Sequence, residues 1–209
     1  MDIEYKYDFD TKDGLITKLT NFADNPDDDC IRCKEKIKNA LLHCPELLYL
    51  FHEEEYEKEL FDKNGSLKLD GDWDCYYMDN IRPYLYIPET QEKIKHYLCY
   101  RIMFNDEPLY NKTEKYLEIV FYIFVNGQDA IEPMTGLCRH DLMASMLREK
   151  FNWSNIFGTH CRITSNQENI TDNYFLTRTI TLECTVLNSI VKTNPNNFTS
   201  VINKTVRTY

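Results

Sequence analysis

The chain has 209 residues, enough for one domain of ordinary size, or one with a substantial insertion, but not for two. Hydrophobic residues make up 43% and aromatics 13%, including 15 Tyr and 11 Phe, which excludes a chain disordered by composition. With 24 Lys+Arg against 34 Asp+Glu the formal charge is −10, which argues against a protein that grips nucleic acid by neutralising phosphates.

Residues 1–27 read as an N-terminal arm, acidic at its start, with a short amphipathic patch at Gly14, Leu15, Ile16 and Leu19. The run Asn25-Pro26-Asp27-Asp28-Asp29 can cap free amides and favours the positive end of a helix dipole, so a helix is expected at once. Over residues 30–44 the apolar stripe is Ile31, Cys33, Ile37, Ala40, Leu41 and Cys44, and Pro45 starts a second short helix through Leu47, Leu48, Leu50 and Phe51. Residues 52–80 are heavily charged and crossed by turn signals at Asn64-Gly65, Asp70-Gly71 and Asp79-Asn80. They read as an inserted surface excursion with room for a short hairpin.

Residues 81–87 are extended, because Pro83 and Pro88 exclude a helix. Residues 92–104 alternate Ile94, His96, Leu98, Tyr100, Ile102 and Phe104 with Lys93, Lys95, Tyr97, Cys99, Arg101 and Met103, a long strand. After the turn at Asn105-Asp106-Glu107-Pro108, residues 116–125 place Leu117, Ile119, Phe121, Ile123 and Val125 on one face, and the two strands should form an antiparallel hairpin. A helix is expected from Thr135-Gly136 to about Phe151, with Leu137, Met143, Ala144, Met146, Leu147 and Phe151 inward and Arg139, Arg148, Glu149 and Lys150 outside. Two more strands follow over about 159–167 and 174–186. An Asn/Thr-rich extension over 188–209 could add a strand around 197–206. The expected architecture is α+β: an antiparallel sheet of about four long strands with two main helices on one face, in a domain spanning 28–187.

No apolar run is long enough for a membrane span, and the start Met1-Asp2-Ile3-Glu4 is too acidic for a signal peptide, so synthesis in a cytosol and eight free thiols are expected. Cys30-x2-Cys33 with His43-Cys44 has the residue types of a zinc site, but Cys30 lies off the stripe that holds Cys33 and Cys44, and no second Cys-x2-Cys exists. Core thiols are the favoured reading, and a cytosolic zinc-binding module is the alternative. Asp70-Gly71-Asp72-Trp73-Asp74 starts like a calcium loop but lacks the sixth-position glycine and the twelfth-position glutamate, so a solvated turn is expected. His140-Asp141 and Ser154 with His160 have no nucleophile elbow beside them, and His140 is expected at the surface or the core edge. With 6 Gly there is no phosphate-cradling motif, and neither an enzyme nor a cofactor or metal site is expected.

Residues 116–125, the segment Gly136-Leu137-Cys138-Arg139-His140-Asp141-Leu142-Met143, Phe157-Gly158 and the strand over 174–186 together resemble small neck proteins of tailed bacteriophages, the tail terminator or tail-completion group above all. The resemblance covers about residues 28–187 and rests on the order of helix, hairpin, helix and strand pair. The excursion over 52–80 and the extension beyond 188 depart from it, which leaves a related head-completion or stopper protein as an alternative. It implies a virion protein assembled in the bacterial cytoplasm. Its copies would form a ring, usually hexameric, that terminates the tail tube and meets the head connector, with DNA only as passing cargo and no membrane partner. Closed rings need heterologous contacts, and polar loops and strand edges are suited to them. The interface residues expected on this basis are Asp106, Glu107, Asn126, Gln128, Asp129, Asn197 and Phe198.

Overall fold

The computed structural model describes residues 11–24, 29–86, 93–105, 114–170, 175–187, 191–193 and 199–201. Four helices come first: Lys12–Asp24 (α1), Asp29–Leu42 (α2), Pro45–Leu50 (α3) and Glu54–Leu60 (α4). Strands Ile81–Arg82 (β1), Tyr97–Asn105 (β2) and Glu114–Asn126 (β3) lead to a helix, Arg139–Phe151 (α5), and then to strands Arg162–Ile170 (β4) and Phe175–Leu187 (β5). These five strands form one open sheet in the order β1-β2-β3-β5-β4. The four long strands are antiparallel as expected, whereas the two-residue β1 joins β2 in parallel. In the C-terminal extension Val191–Thr193 (β6) pairs with Thr199–Val201 (β7) in a separate two-stranded ribbon. The helix-start run at 25–28 and the turns at 106–108 and 171–173 lie outside the described residues.

Alternation in β3 decides which face is covered. Leu117, Ile119, Phe121, Ile123 and Val125 are all buried in the main core, with Leu98 and Tyr100 of β2 and Ile180, Leu182, Cys184 and Val186 of β5 beside them. Phe121 stands opposite Tyr100 on one side and Ile180 on the other, and the ring of Phe151 from α5 lies 5.2 Å from its own. Helix α2 brings Cys33, Ile37, Ala40 and Leu41 to the same cluster, and the Tyr100 hydroxyl donates to the Lys34 carbonyl at 3.2 Å. The other face of the sheet holds a small cluster of Tyr97, Cys99 and Phe124, with the Arg82 guanidinium 4.8 Å above the Tyr97 ring.

Several expectations need correction. The patch at 14–19 is part of the full helix α1, and Ile31, placed on the buried stripe of α2, is exposed. The strand expected from 92 begins at Tyr97. The helix expected from Thr135 begins at Arg139, because Gly136 takes a positive φ of 68° and turns the chain instead, which leaves Leu137 exposed.

The excursion over 52–80 is more than surface. It holds α4, a 3₁₀ turn at Trp73–Tyr76 and a minimal hairpin closed by the antiparallel bridge between Phe61 and Leu67. Leu60 and Tyr76 are each 1% exposed within the main core. The segment is fastened by the Trp73 indole, which donates to the Glu59 carbonyl at 3.0 Å, and by Asp79, which accepts from the Tyr56 hydroxyl at 2.8 Å and from Lys95 at 2.5 Å. Gly71 passes so close to the end of α4 that an added Cβ would stand 1.9 Å from the Glu59 carbonyl oxygen. Leu60→Ala should therefore cost about 2–5 kcal/mol in urea unfolding, and Gly71→Ala about 1–3 kcal/mol through the forced shift of backbone. Leu69→Ala, at a side chain 84% exposed, should stay within about 0.5 kcal/mol of the parent.

Candidate functional site

The segment between β3 and α5 gathers most of the unusual chemistry of the molecule. Its first residues form a 3₁₀ turn at Gly127–Asp129, capped by the Asn126 side chain, which accepts from the Gln128 amide at 3.0 Å. The Asp129 carboxylate then receives three partners from distant parts of the chain. His52, just after α3, places Nδ1 2.6 Å from Oδ2; His96, just before β2, places Nε2 3.1 Å from the same oxygen; and Arg139, the first residue of α5, places a terminal guanidinium nitrogen 3.2 Å from Oδ1. Arg139 Nε also donates to the Asp129 main-chain carbonyl at 3.1 Å.

Donor logic assigns the protons. His96 Nδ1 accepts from the Asn126 amide at 3.1 Å, so its single proton sits on Nε2 and points at Asp129. His52 must carry its proton on Nδ1 to make the 2.6 Å contact with the carboxylate. His96 and Arg139 are each about 1% exposed, whereas Asp129 keeps some solvent contact. Burial holds the His96 pKa below the ordinary imidazole value against the opposing pull of Asp129. Burial alone would raise the Asp129 pKa. The hydrogen bonds from His52 and His96 and the charge of Arg139 outweigh it and hold the carboxyl below its usual range. Arg139 was expected on the outside of its helix. It is buried because its fork closes on both the side chain and the carbonyl of Asp129.

Beyond Asp129 the loop is self-braced. The Glu132 carboxylate accepts from the amides of Met134 at 3.1 Å and Thr135 at 2.6 Å, and the Arg139 amide donates to the Ala130 carbonyl at 2.8 Å. Thus held, the loop forms one wall of an apolar groove of about 530 Å³, whose other walls are α3, the Phe61 and Leu67 bridge, and the outer side of α5 at Leu142 and Met146. Met134 stands at its rim, 88% exposed.

Of the expected interface residues, Asn126 is half-buried, Gln128 is exposed, and Asp129 is drawn into the charged cluster. Asp106, Glu107, Asn197 and Phe198 lie outside the described residues. His140, expected at the surface or core edge, is buried where α5 meets the β4–β5 hairpin, with Nε2 3.3 Å from Glu168 and 3.5 Å from Asp141, both of which also pair with Arg178. His160 is exposed, with Nδ1 3.0 Å from the Trp153 carbonyl. Cys33 and Cys44 are buried, Cys30 is exposed, and all eight cysteines are free thiols as expected. Asp74 pairs with Lys38 at 3.2 Å. Among the described residues no group of three or more His, Cys, Asp or Glu side chains could hold a metal ion. The groove and the cluster went unseen in the sequence because their parts are 77 and 87 residues apart, between His52 and Asp129 and between His52 and Arg139.

The cluster predicts a definite acid response. The folded-state pKa of His96 is depressed, so below the unfolded value of about 6.5 the unfolded chain binds the proton more readily and stability is lost as pH falls. The added proton on Nδ1 would also break the bond from Asn126. The urea midpoint should be level above pH 7 and decline from pH 6.5 to 5, and His96→Gln should lose that part of the decline. The depressed carboxyl of Asp129 adds stability that persists above the unfolded carboxylate pKa and vanishes only at lower pH. Asp129→Asn should cost about 3 kcal/mol, because Arg139 is left buried without its counter-charge.

No curated protein matches the chain. The family whose sequence model does match is YomW, over residues 44–184, a span that takes in α3, α4, α5, the whole charged cluster and nearly all of the five-stranded sheet. The chain belongs to the YomW family, a phage-derived family of the Bacillus phage SPBc2 type.

Proposed function

We propose that the protein is a structural component of the phage neck, whose copies form a ring that terminates the tail tube and joins it to the head connector. Its work is mechanical: it carries no reactive centre and is incorporated in the virion after assembly in the bacterial cytoplasm. The observation that carries the reading is the one-sided sheet. Helices α2, α3 and α5 cover one face, and among the described residues the long edge strand β4 pairs only with β5. Such a layer has one closed side and an open margin, which suits a subunit that completes itself against neighbours.

Three further facts support it. The family is phage-derived. Helix α2, the β2–β3 hairpin, helix α5 and the β4–β5 pair follow one another in the order that the resemblance to tail terminators implies. A formal charge of −10 suits a lumen through which a duplex slides without being held. The loop at Asn126 and Gln128 and the β4 edge are the surfaces we assign to neighbouring subunits.

Mass measurement and negative-stain microscopy of the isolated protein, alone and mixed with its tail tube protein, test the reading. The expected result is a closed ring of uniform copy number that caps tube ends. A species that stays monomeric in both preparations would overturn it. A ring that binds the connector and ignores the tube would replace the terminator role by that of a stopper.

A further inference from the structure

An amphipathic helix in a folded chain ordinarily turns its apolar stripe to the core. Helix α1 does the reverse. At about 100° per residue, Lys12, Leu15, Ile16 and Leu19 share one face, and all four are exposed, Leu19 by 58%. The positions that are half-buried, Gly14 and Lys18, lie a turn apart on the opposite side. The stripe is thus offered outward.

The same chain holds a receptor of matching character. The groove between α3, the loop at 130–138 and α5 is lined by Tyr49, Leu67, Met134, Leu142 and Met146, with Glu46 and Glu132 as its charged members. No residue of α1 lines it. A helix docks in such a groove through apolar anchors at spacings drawn from i, i+3, i+4 and i+7; counted from Lys12, Leu15, Ile16 and Leu19 fill the last three of these places. The charges agree as well, since the exposed face of α1 begins with Lys12 and the ionisable lining of the groove, Glu46 and Glu132, is acidic.

We infer that α1 of one copy of this chain seats its Leu15, Ile16 and Leu19 in the apolar groove of the next copy. The helix patch and the groove are different surfaces, so the contact is heterologous, and repetition carries it from subunit to subunit until the rotation closes or a filament grows. The ring in this inference rests on the function proposed above; the docking itself does not. The groove keeps its shape because Asp129 and Arg139 hold the two ends of the loop that carries Met134.

Cross-linking between separately tagged chains tests the docking apart from the ring. Chains carrying Leu19→Cys are mixed with chains carrying Met134→Cys under mild oxidation, with wild-type chains in either place as controls for Cys30 and the other native thiols. The expected product is a disulfide joining one tag to the other, above the level of both controls. In the absence of oxidant, Leu15→Asp with Leu19→Asp should weaken self-association at least about tenfold, two buried leucines being lost, while the melting midpoint of the isolated subunit stays unchanged. The absence of an interchain product would overturn the inference, as would a disulfide formed only within single chains when Leu19→Cys and Met134→Cys are placed in the same chain. A cross-linked product that grows as open filaments would uphold the docking and defeat the ring. A closed ring that survives Leu15→Asp with Leu19→Asp would defeat the docking and leave the ring standing.

Discussion

One carboxylate organises the end of this molecule where β3 passes into α5. Asp129 accepts from two histidines and an arginine that enter from three separate segments: the end of α3, the approach to β2 and the first turn of α5. Arg139 is almost wholly buried, so its charge is tolerable only while Asp129 faces it. That requirement fixes the exit from β3 relative to the entry to α5, and everything between them, including the braced turn at Glu132 and the exposed Met134, inherits its position. Without the pair, the apolar wall of the groove would have no defined place. His52 and His96 act on the same oxygen and thereby lock the excursion and the start of β2 to the loop.

The remainder of the architecture follows from the single covered face. A sheet with helices on one side needs apolar side chains at every second residue there and tolerates polar ones opposite. The register across Tyr100, Phe121 and Ile180 shows how directly that alternation is converted into a core. The second face is less polar than the rule suggests, for Tyr97 and Phe124 are buried on it. Arg82 answers this by stacking on Tyr97 and spending its other donors on the Asp79 and Tyr86 carbonyls.

What could be read in advance was what short periods encode. The four long strands, the stripe of α2, Pro45 as a helix start and the burial of alternate residues in β3 all rest on neighbours within a few positions. What could not be read depended on contacts distant in the chain. Arg139 has the sequence position of a solvated helix residue, and only Asp129 with its fold-dependent partners explains its burial. Leu60 and Tyr76 sit among charged residues and turn signals, so nothing local marks them as core. Gly136 was expected to open the helix with Thr135, but its positive φ turns the chain and delays the helix to Arg139, and the periodic pattern at Leu137 gave a misleading start. Asp129 was expected at an interface between subunits, and the structure draws it inward as a brace between His52, His96 and Arg139.

The bulge in β4 bears on how the protein behaves at high concentration. Its pairing with β5 slips between Ile163 and Ser165, and the exposed margin carries Arg162, Thr164, Asn166, Gln167 and Glu168. A kinked, hydrophilic border of this kind admits only a neighbour shaped to the kink, which suits a bounded contact between subunits and disfavours endless stacking of identical sheets. Crowding many copies together should thus not nucleate fibrils along the sheet.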